Sequence, residues 1–121
     1  IRVNTLAPTA ATRMTADLLP EQAQALLAPE TITPGLLYLV SEDGPSRVIL
    51  GAGAGGFAQT RIYETEGVTL TGDENTPEGV ASAFDKITDA GGQQELTDAF
   101  SQTKKYALNA AKAQGLDLDW G

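Results

Sequence analysis

A run of small residues, Gly51-Ala52-Gly53-Ala54-Gly55-Gly56, directly follows the β-branched segment Arg47–Leu50, which reads as a strand. Such a run strips the chain of core-forming side chains and leaves two architectures open. One is a dinucleotide cradle, G-x-G-x-x-G, which needs a helix immediately after it so that amides and helix dipole meet a pyrophosphate. The other is a sharp bend or a close approach of two backbones. The next residues decide between them. Phe57, Gln59, Arg61 and Tyr63 alternate with Ala58, Thr60 and Ile62, a partial period of two that reads as extended chain. The cradle therefore lacks its helix, and the bend is the favoured reading.

The rest of the chain is organised by prolines and caps. Ile1–Leu6 alternate and read as a strand, closed by Pro8, and Thr9–Thr15 form a small polar loop. Pro20-Glu21 opens a short helix to about Ala28, where Pro29 stops it. Thr33 followed by Pro34 is a cap-and-start pair, and the helix 34–42 is apolar nearly all round, so burial is expected. Val68–Leu70 is a candidate short strand. Thr76-Pro77 repeats the helix start, with Val80, Phe84 and Ile87 as one stripe. After Gly91-Gly92 a longer helix is expected over 93–114, facing inward with Leu96, Phe100, Thr103, Ala107 and Ala110 and capped by Gly115. The tail 116–121 reads either as a docked, extended strand-like segment or as a loose one.

Composition removes several chemistries. The chain of 121 residues has no Cys and no His, so disulfides, thiolate zinc sites, His metal sites and Ser-His-Asp triads are excluded. A net charge of −8 repels phosphate backbones and anionic lipid, so neither nucleic acid nor membrane is an expected partner. No apolar run approaches the roughly 20 residues of a membrane span.

Few residues remain as candidates for chemistry. A tyrosine acting as acid or base beside a helical Lys would need that Lys four positions on, and Tyr38, Tyr63 and Tyr106 are followed there by Glu42, Gly67 and Ala110. Lys104-Lys105 reads as a solvated helix face. Glu64, Glu66, Asp73 and Glu74 read as an acidic turn, since they match no Ca²⁺-loop spacing. Ser41, Ser46 and Ser82 have no visible base. No catalytic and no metal-ligating residue is therefore assigned.

Two stretches carry a resemblance. Ile1-Arg2-Val3-Asn4-Thr5-Leu6-Ala7-Pro8 resembles the sixth sheet strand of short-chain dehydrogenases/reductases. Residues 30–42 followed by Val48-Ile49-Leu50-Gly51 resemble that family's last core helix and seventh strand. Ala7-Pro8-Thr9-Ala10-Ala11-Thr12-Arg13-Met14-Thr15, Arg61-Tyr63-Glu64 and Thr76-Pro77-Glu78 bring it nearest to the (3R)-hydroxyacyl-CoA dehydrogenase unit of multifunctional β-oxidation enzymes. The likeness covers residues 1 to about 90.

The resemblance implies an α/β fold: the C-terminal portion of a Rossmann-type dehydrogenase over 1–75, with its last two sheet strands and intervening helices, then a helical extension over 76–121. It implies that Pro8, Thr9, Ala10 and Thr12 contact the nicotinamide end of NAD or NADP, although Thr9 stands where most members have Gly. It also implies that Met14, Leu18 and Leu19, in the family's variable substrate lid, line an acyl pocket. The family's phosphate-binding glycines, catalytic Ser and Tyr-x-x-x-Lys are absent from this stretch. The expectation is thus part of an NAD(P)-dependent oxidoreductase acting on a 3-hydroxy/3-oxo substrate. By itself it would be inactive and hold no cofactor, needing the missing N-terminal half. Cytoplasmic location is expected, or peroxisomal in a eukaryote, and so is a homo-oligomer through helix 34–42 and the strand after it. The alternative is a small non-catalytic α+β interaction module that also forms homo-oligomers.

Overall fold

A computed structural model describes residues 1–120. The chain divides into two compact units, one spanning Ile1–Thr60 and the other beginning at Arg61.

The first unit is a three-stranded sheet with helices. Its elements are β1 (Thr5–Pro8), α1 (Glu21–Leu26), a 3-10 turn (Pro29–Thr31), α2 (Thr33–Leu39), β2 (Ile49–Gly53) and β3 (Gly56–Thr60). The order in the sheet is β1-β2-β3. β1 runs parallel to β2, with Thr5 opposite Ile49 and Pro8 opposite Ala52, and β3 returns antiparallel. Parallel neighbours need a long crossover, and residues 9–48 with their helices supply it. The α/β class and the two parallel strands match the expectation. The first strand, however, starts at Thr5, because residues 2–4 are tied to the loop before β2 through hydrogen bonds of their own.

The glycine-rich run is a β-hairpin, so the bend reading holds. Gly53 faces Gly56, and the two residues between them, Ala54 and Gly55, have φ of 50° and 78°. Positive φ at both central positions is the mark of the type I′ turn, whose twist matches that of the flanking strands. Gly53 is also a close-approach site. A Cβ there would stand 2.9 Å from the Thr9 carbonyl oxygen, so the residue after β1 can lie across the end of β2.

Leu50, Ala52 and Phe57 share one face of the sheet, and α2 packs on it through Gly35. A Cβ at that glycine would come within 2.6 Å of the Phe57 ring. Ile32, Leu39 and Ala52 are buried there. The expectation that α2 is buried all round fails. Leu36, Leu37, Tyr38 and Val40 are exposed, because the helix touches the sheet along one narrow line and nothing else among the described residues covers its outer side. The helix also begins one residue early, at Thr33, with no side-chain cap bond.

The second unit contains β4 (Tyr63–Glu64), a 3-10 turn (Gly72–Glu74), α3 (Pro77–Ile87), β5 (Gln94–Glu95) and α4 (Ala99–Ala113), with β4 and β5 paired antiparallel. Thr76 caps α3 as its sequence requires, accepting from Gly79 N–H at 3.0 Å, with Pro77 in the first turn. Val68–Leu70 is not a strand.

The long helix expected over 93–114 is shorter. Gln94 and Glu95 are spent on β5, and Asp98 starts α4 by accepting from Ser101 N–H at 2.7 Å. At its end Leu116 N–H reaches Ala111 O at 2.8 Å and Gly115 N–H reaches Lys112 O at 3.1 Å, the paired bonds of a Schellman cap. Of the expected inward face, Leu96, Ala107 and Ala110 are half-buried, but Phe100 and Thr103 are exposed. Gln102, Lys105 and Ala111 turn inward, whereas Phe100 is 80% exposed. The cause is polar, since a carboxylate on β4 draws Gln102 and Lys105 toward it. Residues 61–75, which the sequence reading places with the first part, are bonded to this helical part: Thr65 donates to Ile87 O and receives a bond from Lys105 at its carbonyl.

Ala54 is a non-glycine residue in the left-handed region, where Asn is far better tolerated. Ala54→Asn is expected to stabilise the first unit by roughly 0.5–1 kcal/mol. That gain would read as a higher melting temperature in calorimetry.

Candidate functional site

The strap that follows β1 is pinned at chosen points. Thr9 N–H donates to Ala52 O at 2.7 Å, continuing the β1–β2 ladder past its last residue, and Ala11 N–H donates to Leu27 O at 2.8 Å. Thr12 and Thr15 close a turn on each other: Thr12 N–H donates to Thr15 Oγ1 at 3.0 Å, and Thr15 N–H donates to Thr12 O at 3.1 Å. Further on, Gln24 Nε2 donates to Ala16 O at 2.8 Å and to Leu19 O at 2.9 Å, clamping segment 16–19 to α1. The strap is thereby held against β2 and α1 by backbone bonds, with little help from side-chain packing.

The residues expected at a cofactor lie together on this strap. Pro8 ends β1 opposite Ala52, and Thr9, Ala10 and Thr12 follow it. Pro8, Thr9 and Thr12 are exposed and Ala10 is half-buried. Among the described residues the Thr12 hydroxyl and the Ala10 N–H have no hydrogen-bond partner. A carboxamide needs a donor and an acceptor from its host, and a backbone N–H and a hydroxyl are groups of that kind. The strap thus leaves one backbone donor and one hydroxyl without partners among the described residues, and the glycine run is closed as a hairpin. Of the residues expected at an acyl chain, Met14 is 90% and Leu18 79% exposed, while Leu19 is half-buried. Met14 and Leu18 are thus not used in packing the described chain.

A second cluster was not foreseen from the sequence. In the second unit Glu64 is the hub of α4. Lys105 Nζ donates to its Oε1 at 2.8 Å, Tyr106 Oη donates to its Oε2 at 2.8 Å, and Gln102 Nε2 donates to the same Oε2. Lys105 also donates to Thr65 O at 2.7 Å and lies 5.6 Å from the centre of the Tyr106 ring. The Glu64 side chain is only 17% exposed. The Lys105 bond first, then those from Gln102 and Tyr106, hold its carboxyl well below the usual range, at about 2 against 4.5, while partial burial pulls the other way. A carboxylate holding three donors is a structural anchor, with most of its lone-pair sites already engaged. The only signal in sequence was the 102/105/106 spacing on one helix face, which without knowledge of Glu64 reads as solvated charge.

No protein-family model matches the chain. It is homologous to peroxisomal multifunctional enzymes and short-chain dehydrogenases. It is 34% identical over 97 residues to the peroxisomal hydratase-dehydrogenase-epimerase of Neurospora crassa, covering 78% of this chain and 11% of that protein. It is 36% identical over 92 residues to peroxisomal multifunctional enzyme type 2 of Mus musculus, covering 74% of this chain and 12% of that protein. A Mycobacterium tuberculosis protein described as a short-chain type dehydrogenase/reductase is 32% identical over 93 residues, covering 76% of this chain and 32% of that protein. The chain therefore spans between about a tenth and a third of the length of these relatives. Among solved structures, full-length peroxisomal multifunctional enzyme type 2 from Drosophila melanogaster superposes with a TM-score of 0.71 over 93% of this chain and 21% of that one, at 20% identity. The fold is that of part of a Rossmann-like short-chain dehydrogenase.

The Glu64 cluster has a consequence in acid. Its carboxyl takes up a proton near 4.5 in the unfolded chain and only near 2 in the folded one. Its contribution to stability is therefore complete above pH 4.5 and lost as the pH falls toward 2. Thermal unfolding of the second unit should lose midpoint across that window more steeply in the native chain than in Glu64→Gln. Equal slopes would contradict the assignment.

Proposed function

We infer that this chain, by its kinship with the short-chain dehydrogenases/reductases, is the closing part of an NAD(P)-dependent oxidoreductase domain acting on a 3-hydroxy/3-oxo centre of an acyl-CoA. The observation that carries this reading is the strap. It lies at the carboxyl end of a parallel strand, where open α/β sheets bind ligands. Backbone bonds fix it at Thr9 and Ala11, and it leaves Ala10 N–H and Thr12 Oγ1 without partners among the described residues. Pro8 and Thr9 give the nicotinamide a rigid edge, while Ala10 and Thr12 orient its carboxamide. When bound, the cofactor supplies the hydride acceptor or donor. Met14, Leu18 and Leu19 cover the acyl chain and exclude water from it, and the exposed Met14 and Leu18 gain by burial the apolar contact they lack in the free chain.

The groups that bind phosphate and move the proton belong to sequence outside this stretch, so the chain alone is inactive. Its exposed α2 residues Leu37 and Val40 form the contact of a homo-oligomer. In a eukaryote the protein is peroxisomal, in keeping with its peroxisomal relatives.

The reading is tested by expressing the chain together with the coding sequence that precedes it. That protein should reduce NAD or NADP with a 3-hydroxyacyl-CoA, and Thr12→Val should lower kcat/KM roughly three- to tenfold through one lost hydrogen bond. Inertness toward every 3-hydroxyacyl-CoA would overturn the substrate. The 121-residue chain by itself should show no micromolar NADH affinity by calorimetry. It should sediment as more than a monomer, and Leu37→Glu should shift it toward one; a purely monomeric profile of the native chain would remove the oligomer.

A further inference from the structure

Residues 12–26, which run from the strap to the end of α1, bond only among themselves and to the two residues that close them off. Ala11 N–H donates to Leu27 O at 2.8 Å and ties the two ends of the loop together. Inside it, Thr15 N–H returns to Thr12 O at 3.1 Å, Leu18 N–H to Thr15 O at 3.0 Å and Gln24 N–H to Pro20 O at 3.0 Å. Among the described residues no hydrogen bond or ion pair leads from 12–26 to a residue outside 11–27. A loop with joined ends and bonds of its own holds its shape as a unit.

The weak place in that unit is the arc 16–19. Leu19 precedes Pro20, which disfavours a helical turn there and has no N–H to give. The carbonyls of Ala16 and Leu19 have no backbone donor among the described residues. Gln24, half-buried on α1, supplies both from one side-chain nitrogen: Nε2 donates to Ala16 O at 2.8 Å and to Leu19 O at 2.9 Å. A primary amide carries two N–H groups, so both are in use. The bonds reach back eight and five residues and bracket Leu18 and Leu19. Leu18 is 79% exposed, so packing does little to place it, and the Gln24 amide does so instead.

We propose that Gln24 is a positioning residue that sets selectivity for acyl-chain length, by holding Leu18 and Leu19 where the far part of a long chain lies. The proposal rests on the dehydrogenase reading above. Gln24 touches neither cofactor nor reacting atoms, so it acts on binding and leaves turnover alone. A short acyl group ends before the arc and gains nothing from it. A long one gains fully only when both leucines are already in place, because ordering them on binding costs entropy.

The variants are Gln24→Met, of similar length and without donors, and Gln24→Glu, which sets a carboxylate against two carbonyls. In the 121-residue chain, methyl relaxation should show Leu18 and Leu19 loosened in both variants, with amide exchange at Thr9 and Ala11 unchanged. In the chain expressed with its preceding coding sequence, KM for 3-hydroxydecanoyl-CoA should rise roughly tenfold for the two lost hydrogen bonds. There kcat should stay within about twofold, and KM for 3-hydroxybutyryl-CoA should not move. Leucine methyls as ordered as in the native chain, or a KM that is unchanged or rises equally for both substrates, would overturn the proposal and leave the dehydrogenase reading standing. So would loss of protection at Thr9 and Ala11, which would make Gln24 a general structural residue. A native protein inert toward every 3-hydroxyacyl-CoA would overturn that reading, and this proposal with it.

Discussion

Asn4 donates from Nδ2 to the Pro45 carbonyl at 2.9 Å and accepts from Val48 N–H at 3.0 Å, and this two-way bridge sets the register in which β1 meets β2. Arg2 reinforces it by donating to the Glu42 and Gly44 carbonyls at 2.7 Å each, and Arg47 N–H reaches Val3 O at 2.8 Å. These bonds join segments far apart in sequence, just ahead of the first β1–β2 pair, Thr5 opposite Ile49. They matter because the first unit buries little. Ile32, Leu39 and Ala52 are its buried apolar residues among those described, too few for packing alone to choose a register. With register fixed, Ala52 O falls where Thr9 N–H reaches it, and Gly53 leaves space for the Thr9 carbonyl. The strap's position thus depends on a polar bridge at the opposite end of the strand.

The second unit solves the same shortage of apolar surface with charge. Ala111 is its buried apolar residue among those described, and α4 is oriented instead by Glu64 and its three donors. A carboxylate that is 17% exposed keeps some hydration, so the donors need not repay a full desolvation cost, and the arrangement stabilises the ionised form. The helix consequently turns a polar face inward and leaves Phe100 outside.

How much of this was legible in the sequence follows from the range of each interaction. Local signals were read correctly. Thr76-Pro77 capped its helix, Gly115 closed α4, and the alternation after the glycine run favoured a bend over a cofactor cradle, a bend that the structure makes as a hairpin. The sixth- and seventh-strand likeness gave both parallel strands and the strap between them. Signals depending on distant residues were not legible. Leu96, Phe100, Thr103, Ala107 and Ala110 have good helical spacing, yet Asp98 starts the helix later and Glu64 turns it. Neither the partner of Lys105 nor its pull is visible from the 104–106 triplet. The exposure of α2 was missed for a related reason: an apolar helix implies burial only if enough structure surrounds it.

The central claim is that the strap is rigid at alternate residues and open between them, which makes it a surface preset for a ligand. Amide hydrogen exchange on the chain tests this residue by residue. The account predicts slow exchange at Thr9 and Ala11, whose N–H groups are bonded to Ala52 and Leu27, beside fast exchange at Ala10, whose N–H has no partner among the described residues. Uniformly fast exchange from Thr9 to Thr12 would mean the strap is not held against β2 and α1, and the reading of residues 8–12 as a preset cofactor edge would be wrong.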